Sequence, residues 1–152
     1  MTGIFESHAH YEDEAFDEDR DVLLKSLPEN GIKYVVDVGS SIDTCHKIIE
    51  LIPKWDYMYG ALGIHPEEIR TVTDEDMEWL RKEAAANGKI VAIGEIGLDY
   101  YWDKDNKAQQ KEFFERQLVL AKELKKPVIV HSREAALDTY EVIKASADRD
   151  NS

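Results

Sequence analysis

The chain has 152 residues, of which 43% are hydrophobic and 34% are charged, and its formal net charge is −13. This length and composition favour one folded domain over residues 1–152 and argue against wholesale disorder. The acidic balance disfavours a broad nucleic-acid surface built from clustered lysine and arginine, but bound divalent metals could supply local positive charge for a phosphate substrate.

Short β-rich runs alternate with longer amphipathic stretches along the chain. The predicted strands cover residues 4–5, 34–38, 58–62, 90–93 and 128–130. The second, fourth and fifth runs are continuously hydrophobic, which indicates burial on both faces of a parallel sheet covered by helices. The alternation predicts an α/β architecture.

The first two helices are predicted from capping residues and apolar spacing. Asp17 is expected to cap a helix that ends at residues 28–31, and residues 42–52 suit a second helix that stops before Pro53. The acidic segment 12–21 around the first cap is expected to be a solvated face, because acidic residues favour helix N-termini.

The later helices carry clearer signals. Thr73 and Asp76 form a capping-box pattern before the third helix, which Gly88 would end. The fourth helix has the clearest amphipathic spacing and ends before residues 125–127, and the last helix is predicted to begin near Glu134. The expected apolar stripe of that last helix comprises Leu137, Tyr140 and Ile143.

The sequence also bears on the cellular compartment. No apolar stretch approaches the roughly 20 residues that a membrane-spanning helix requires, and the N-terminus lacks the basic and apolar segments of a secretory signal. Cys45 is the single cysteine, so an internal disulfide is impossible and packing is its expected role. We therefore expect a cytoplasmic protein with no membrane partner.

Potential metal ligands recur at the ends of predicted strands. His8 and His10 follow the first strand, Glu95 follows the fourth and His131 follows the fifth. The carboxyl ends of parallel strands meet at one edge of a sheet, and alternate residues of a strand share a face, so these side chains should converge on a divalent metal such as zinc. The alternatives are a chance His-x-His match, a capping or salt-bridged glutamate, and a buried histidine satisfied by hydrogen bonds.

Two further residues near the same edge are candidate substrate contacts. His65 precedes Pro66 in a glycine-containing loop that could admit a substrate close to the backbone. Arg133 offers a planar fork of donors suited to phosphate, with a surface salt bridge as the alternative. His46 lies in the middle of a predicted helix and is expected at the surface.

Four ordered motifs then identify a family resemblance. They are FESHAHY at residues 5–11, GIHP at 63–66, AIGEIGLDY at 92–100 and PVIVHSRE at 127–134. Together they closely resemble the TatD family of metal-dependent hydrolases, and the resemblance covers essentially the whole chain. It implies a TIM-like (β/α) barrel of the amidohydrolase type and a divalent-metal-dependent deoxyribonuclease or phosphoesterase activity.

The resemblance also implies roles for individual residues. His8 and His10 would bind one metal ion, Glu95 would bridge two, and His131 would bind the second. His65 and Arg133 would lie near the phosphate of DNA or another phosphodiester substrate. The two ions, zinc, magnesium or manganese, would polarise the phosphoryl oxygens and activate the attacking water.

The family barrel has eight strands, and this chain supplies five, so we expect a partial barrel truncated after its fifth βα unit. A further histidine ligand and an aspartate ligand of the family would lie beyond it. The open sheet edges predict self-association or a complementing C-terminal fragment. One alternative is an inactive fragment that retains partial metal binding; another is a different phosphoesterase that also begins with a His-x-His pair.

Overall fold

The computed structural model describes residues 3–148 and contains one parallel sheet of five strands. Each strand pairs with the next along the chain, in the order β1-β2-β3-β4-β5. The strands are β1 (Ile4–Ala9), β2 (Ile32–Val38), β3 (Met58–Leu62), β4 (Ile90–Asp99) and β5 (Val128–Arg133). The sheet is a curled half barrel with β1 and β5 as its edges, which confirms the predicted α/β architecture.

The segments between and after the strands are helical. The α-helices of the described residues are α1 (Arg20–Ser26), α2 (Ile42–Leu51), α3 (Asp74–Ala86), α4 (Lys107–Glu123) and α5 (Ala136–Asp148). Short 3-10 helices occur at Glu14–Phe16, Ile52–Lys54 and Ile69–Thr71. No helix within residues 3–148 is both long and apolar enough to cross a bilayer.

The capping box predicted for α3 is present: the Thr73 hydroxyl accepts from the Asp76 amide, and the Asp76 carboxylate accepts from the Thr73 amide. The cap predicted at Asp17 is wrong. Asp17 ends a 3-10 helix and pairs with Arg20 Nη2 at 2.6 Å, and α1 begins only after Asp19. The last helix begins at Ala136, two residues after Glu134, whose φ of +52° keeps it out of the helix.

The main hydrophobic core lies between the sheet and the helices and includes Leu24, Ile48, Leu80 and Phe114. Cys45 is fully buried in it, in the packing role expected of it. A smaller cluster comprises Val36, Val38, Ala61 and Ala92, with Tyr59, Val91 and Ile129 packed against it. Strand alternation puts Val36 and Val38 on the opposite face of β2 from Val35, a member of the main core.

One burial prediction is wrong at the β5 side of the sheet, and the apolar residues noted in the last helix are exposed. Strand β5 is not buried on both faces, because it is an edge strand and its Val130 is exposed. The predicted apolar stripe of α5 faces outward, and Leu137 and Tyr140 are 73% and 58% exposed. Thr139 and Val142 are the residues of α5 that are buried instead.

Candidate metal centre

Three of the strands extend beyond their predicted ends and include residues predicted as metal ligands. Strand β1 continues through His8 to Ala9, β4 continues through Glu95 to Asp99, and β5 includes His131. The structure brings the four predicted ligands His8, His10, Glu95 and His131 together at the carboxyl-end edge of the sheet. His8, Glu95 and His131 therefore lie on strands, whose backbone hydrogen bonds fix their positions, and His10 is the first residue after β1.

His8, His10 and Glu95 form the first group with metal-binding geometry. The Nε2 atoms of His8 and His10 are 3.2 Å apart, and His8 Nε2 is 3.5 Å from Glu95 Oε2. Two donors that each lie 2.0–2.1 Å from a tetrahedral zinc ion stand about 3.3 Å apart. The spacing and the chemistry of these three donors therefore fit a divalent metal.

The second carboxylate oxygen of Glu95 faces a different histidine. Glu95 Oε1 lies 3.2 Å from His131 Nδ1. Burial works to raise the pKa of Glu95, but the hydrogen bond with His131 and the nearby His8 bring it below its ordinary value. Hydrogen bonding to Glu95 raises the pKa of His131 against the effect of burial. Glu95 thus connects the first histidine pair to His131 through its two oxygens.

His131 also contacts Asp99, a residue for which the sequence suggested no role. Asp99 Oδ2 is 2.9 Å from His131 Nε2, and the His65 and His131 rings are 4.2 Å apart between centroids. Burial opposes the shift, but backbone amides and His131 lower the pKa of Asp99. His65, Asp99 and His131 make a second group whose donor atoms lie close enough to hold an ion.

Close approach of β4 and β5 puts Glu95 beside His131. A Cβ atom on Gly94 would lie 2.6 Å from Ile129 Cβ, and one on Gly97 would lie 1.9 Å from the carbonyl oxygen of His131. Gly97 also has a φ of +149°, which side-chain-bearing residues rarely adopt. The glycines on either side of Glu95 therefore permit the strand separation that the site requires.

Two buried carboxylates lie near His10, and one of them, Glu12, contacts its ring. His10 Nδ1 lies 3.6 Å from Glu12 Oε1, and this contact raises the pKa of His10 although burial opposes it. Glu12 is buried, so the expectation of a solvated face is wrong at this residue. Asp37 is fully buried nearby, and burial, with the Glu12 charge, raises its pKa to about 7. Such carboxylates commonly orient metal-binding imidazoles.

His65 is largely buried at the centre of the same edge. Its backbone amide donates to Ser40 O at 2.7 Å, and its Nδ1 accepts from the Glu67 amide at 3.3 Å. Burial and the neighbouring His131 lower the pKa of His65 to about 4. A neutral ring that accepts at Nδ1 carries its proton on Nε2, where it can donate to a substrate oxygen.

The remaining two predicted residues lie outside the histidine cluster. Arg133 is exposed, and its guanidinium carbon is 4.0 Å from the centre of the Tyr101 ring. His46 is at the surface of α2, as expected, and its ring stacks on Trp79 with 3.9 Å between centroids. Arg133 therefore belongs to an aromatic surface beside the cluster, and His46 takes no part in the cluster.

Sequence reasoning missed Glu12, Asp37 and Asp99 as parts of this site. The sequence held a signal for two of these residues. Asp37 interrupts a run of valines, and Asp99 follows Glu95 by four residues on the same apolar segment. A carboxylate within a buried strand needs a partner, so its presence there points to a polar site. Glu12 gave no such signal, because it stands among exposed acidic residues.

Comparison with known proteins decides the family. The family model described as TatD related DNase matches residues 5–151. The chain belongs to the TatD family. A relative from Bacillus subtilis, the uncharacterized metal-dependent hydrolase YabD, is 40% identical over 93% of this chain and 55% of its own length.

Two other relatives bear on activity and fold. The protein named 3'-5' ssDNA/RNA exonuclease TatD from Cronobacter sakazakii is 33% identical over 79% of this chain and 45% of its own length. The crystal structure of the Escherichia coli TatD homologue YjjV matches with a TM-score of 0.86 and 27% identity, over 94% of this chain and 56% of that one. The chain thus spans about half the length of the TatD relatives it matches, and its fold is the corresponding part of their barrel.

Proposed function

We propose that this chain carries one part of a two-metal hydrolase that cleaves phosphodiester bonds, with DNA as the substrate. One observation carries the proposal: the two carboxylate oxygens of Glu95 face different histidines, His8 at 3.5 Å and His131 at 3.2 Å. A carboxylate whose two oxygens face different imidazole groups could bridge two metal ions, one on each side. Membership of the TatD family supports the same proposal.

In this proposal His8, His10 and Glu95 would hold the first ion, and Glu95 and His131 would hold the second. When bound, zinc, magnesium or manganese would supply Lewis acidity for the phosphoryl oxygens and would lower the pKa of the attacking water. The neutral His65 would donate its Nε2 proton in a hydrogen bond to a phosphate oxygen. Arg133 would add a positive charge at the edge of the same site.

We further propose that the open sheet edges bind a partner, either a second copy of the chain or a complementing C-terminal fragment. Phe5 of the β1 edge strand is 58% exposed, and Tyr140 beyond β5 is equally exposed. Unpaired strand edges with apolar neighbours favour association. The cytoplasmic location stays a prediction.

A nuclease assay tests the activity. The purified chain would be incubated with a 3′-labelled single-stranded oligodeoxynucleotide and with zinc, manganese or magnesium, and the products would be separated on a denaturing gel. We expect metal-dependent cleavage that EDTA abolishes, that Glu95→Gln loses and that Glu29→Gln retains. Glu29 is an exposed glutamate in the turn after α1, so Glu29→Gln controls for the substitution itself. The loss of cleavage in Glu95→Gln excludes a contaminating nuclease.

The alternative is an inactive fragment that still binds metal. It predicts metal binding in calorimetry together with no cleavage by the wild-type chain at saturating metal. Cleavage that is equal in the wild type and Glu95→Gln would contradict the proposed site. Sedimentation velocity over a range of concentrations tests the partner: a larger species is expected, and Leu137→Lys/Tyr140→Lys should reduce it.

A further inference from the structure

An exposed aromatic surface lies directly beside the candidate metal centre. Tyr101 and Trp102 follow β4, their rings meet edge to face with 4.6 Å between centroids, and they are 42% and 61% exposed. Neither ring belongs to the hydrophobic core clusters of the described residues. The surface is therefore available to a ligand and contributes nothing to the packing of those clusters.

A cation completes this surface. The guanidinium carbon of Arg133 lies 4.0 Å from the centre of the Tyr101 ring and 5.3 Å from that of Trp102. Arg133 is held there by its strand, since its carbonyl accepts from the Tyr100 amide and its Cα pairs with Asp99 across the sheet. A planar cation on two rings gives a surface on which another flat, polarisable ring can stack.

The aromatic surface and the metal centre share one carboxylate. Asp99 Oδ1 accepts from the Tyr101 and Trp102 amides, each at 2.9 Å, while its Oδ2 lies 2.9 Å from His131 Nε2. The turn is fixed a second time by Gln110, whose Nε2 donates to the carbonyls of Asp99 and Asp103. A ligand on the rings would therefore be held at a defined distance from His131.

The net charge of the chain indicates which kind of contact with a nucleic acid this surface can make. The formal charge of −13 disfavours broad affinity for nucleic acid through phosphate contacts. Stacking of a base on an aromatic side chain does not depend on net charge and tolerates every base. It requires an unpaired base, because the bases of a duplex are already stacked on one another.

We propose that Tyr101, Trp102 and Arg133 form a binding surface for one unpaired nucleobase next to the phosphodiester that is cleaved. The inference rests on the proposed function for the position of the phosphate, and it adds the residues that would select single-stranded over double-stranded substrate. Trp102 is the more exposed ring of the surface, and Arg133 supplies its cation.

Oligonucleotide binding, followed in part by the fluorescence of Trp102, tests this proposal. A thymidine octamer, an abasic octamer with the same number of phosphates and an eight-base-pair duplex would each be titrated into the full chain in EDTA, so that no cleavage occurs. Affinity would be read from tryptophan fluorescence and from the anisotropy of end-labelled oligonucleotides. Trp79→Phe is the matched control, because Trp79 stacks on His46 away from this surface.

We expect the thymidine octamer to bind about 5- to 100-fold more tightly than the abasic octamer and to quench Trp102, with the duplex no better than the abasic octamer. Trp102→Leu and Tyr101→Leu should lose most of this preference, and Trp79→Phe should keep it. Circular dichroism would verify that each variant is folded.

Equal binding of the thymidine and abasic octamers by the wild type would overturn the proposal, as would a base preference that survives in Trp102→Leu, or no binding of any oligonucleotide. The result is independent of the nuclease assay. Base preference without cleavage would contradict only the hydrolase activity, and metal-dependent cleavage without base preference would contradict only the aromatic surface.

Discussion

Asp99 Oδ2 lies 2.9 Å from His131 Nε2, on the other side of the ring from the nitrogen that faces Glu95. If a metal shared with Glu95 occupied Nδ1, this contact would place the remaining ring proton of His131 on Nε2. A histidine that donates its second nitrogen to a carboxylate is the common arrangement in metal sites. Asp99 is therefore expected to position His131 rather than to bind metal itself.

Asp99→Asn tests this role. Its Oδ1 can still accept from the Tyr101 and Trp102 amides, but its Nδ2 cannot accept from His131, so the turn should persist while the imidazole loses its support. We expect metal affinity at the His131 position to fall about 10- to 100-fold in calorimetry, with no ion lost. Asp105→Asn, an exposed aspartate of the same loop, should behave as wild type. Complete loss of an ion would instead make Asp99 a ligand.

Much of this arrangement was predictable from the sequence, for reasons visible in particular residues. His8, His10, Glu95 and His131 follow apolar runs, and parallel strands bring such positions to one edge. The position of Asp99 within an apolar segment indicates a polar site, but its contact with His131 was not predictable because it depends on the packing of β4 against β5. The burial of Glu12 was not predictable, because a turn buries one of many acidic residues. The spacing of Leu137, Tyr140 and Ile143 did not reveal that these residues are exposed, because helical spacing identifies an apolar face but not what covers it.

Gly97→Ala tests whether the close approach of β4 and β5 builds the site. The new methyl group would meet the His131 carbonyl oxygen at 1.9 Å, and the φ of +149° is strained for alanine. We expect urea unfolding to show a loss of about 2 to 4 kcal/mol in stability and calorimetry to show weaker metal binding. Gly88→Ala is the matched control, since a Cβ there has nothing within 4 Å. Equal stability of the two variants would contradict this account of the strand separation.

Asp37→Asn tests the buried acidic pair through pH. In the native state the pKa of Asp37 is about 7, and its ordinary value is 3.8. Between these values the native chain holds a proton that the unfolded chain has released, so the free energy of unfolding falls as pH rises from about 4 to about 7. In EDTA, urea unfolding at pH 5 and pH 8 should show a smaller loss of stability for the variant than for wild type. Parallel pH dependence in both would show that Asp37 ionises normally.

The bridging position of Glu95 is the central claim, and electron paramagnetic resonance of the chain loaded with two equivalents of Mn²⁺ tests it most directly. Two ions that share a carboxylate lie about 3.5–4 Å apart and couple magnetically. We predict the spectrum of a coupled pair for the wild-type chain and for Glu29→Gln, and its loss in Glu95→Gln. Isolated Mn²⁺ signals in the wild type, or a coupled pair that survives in Glu95→Gln, would contradict the account.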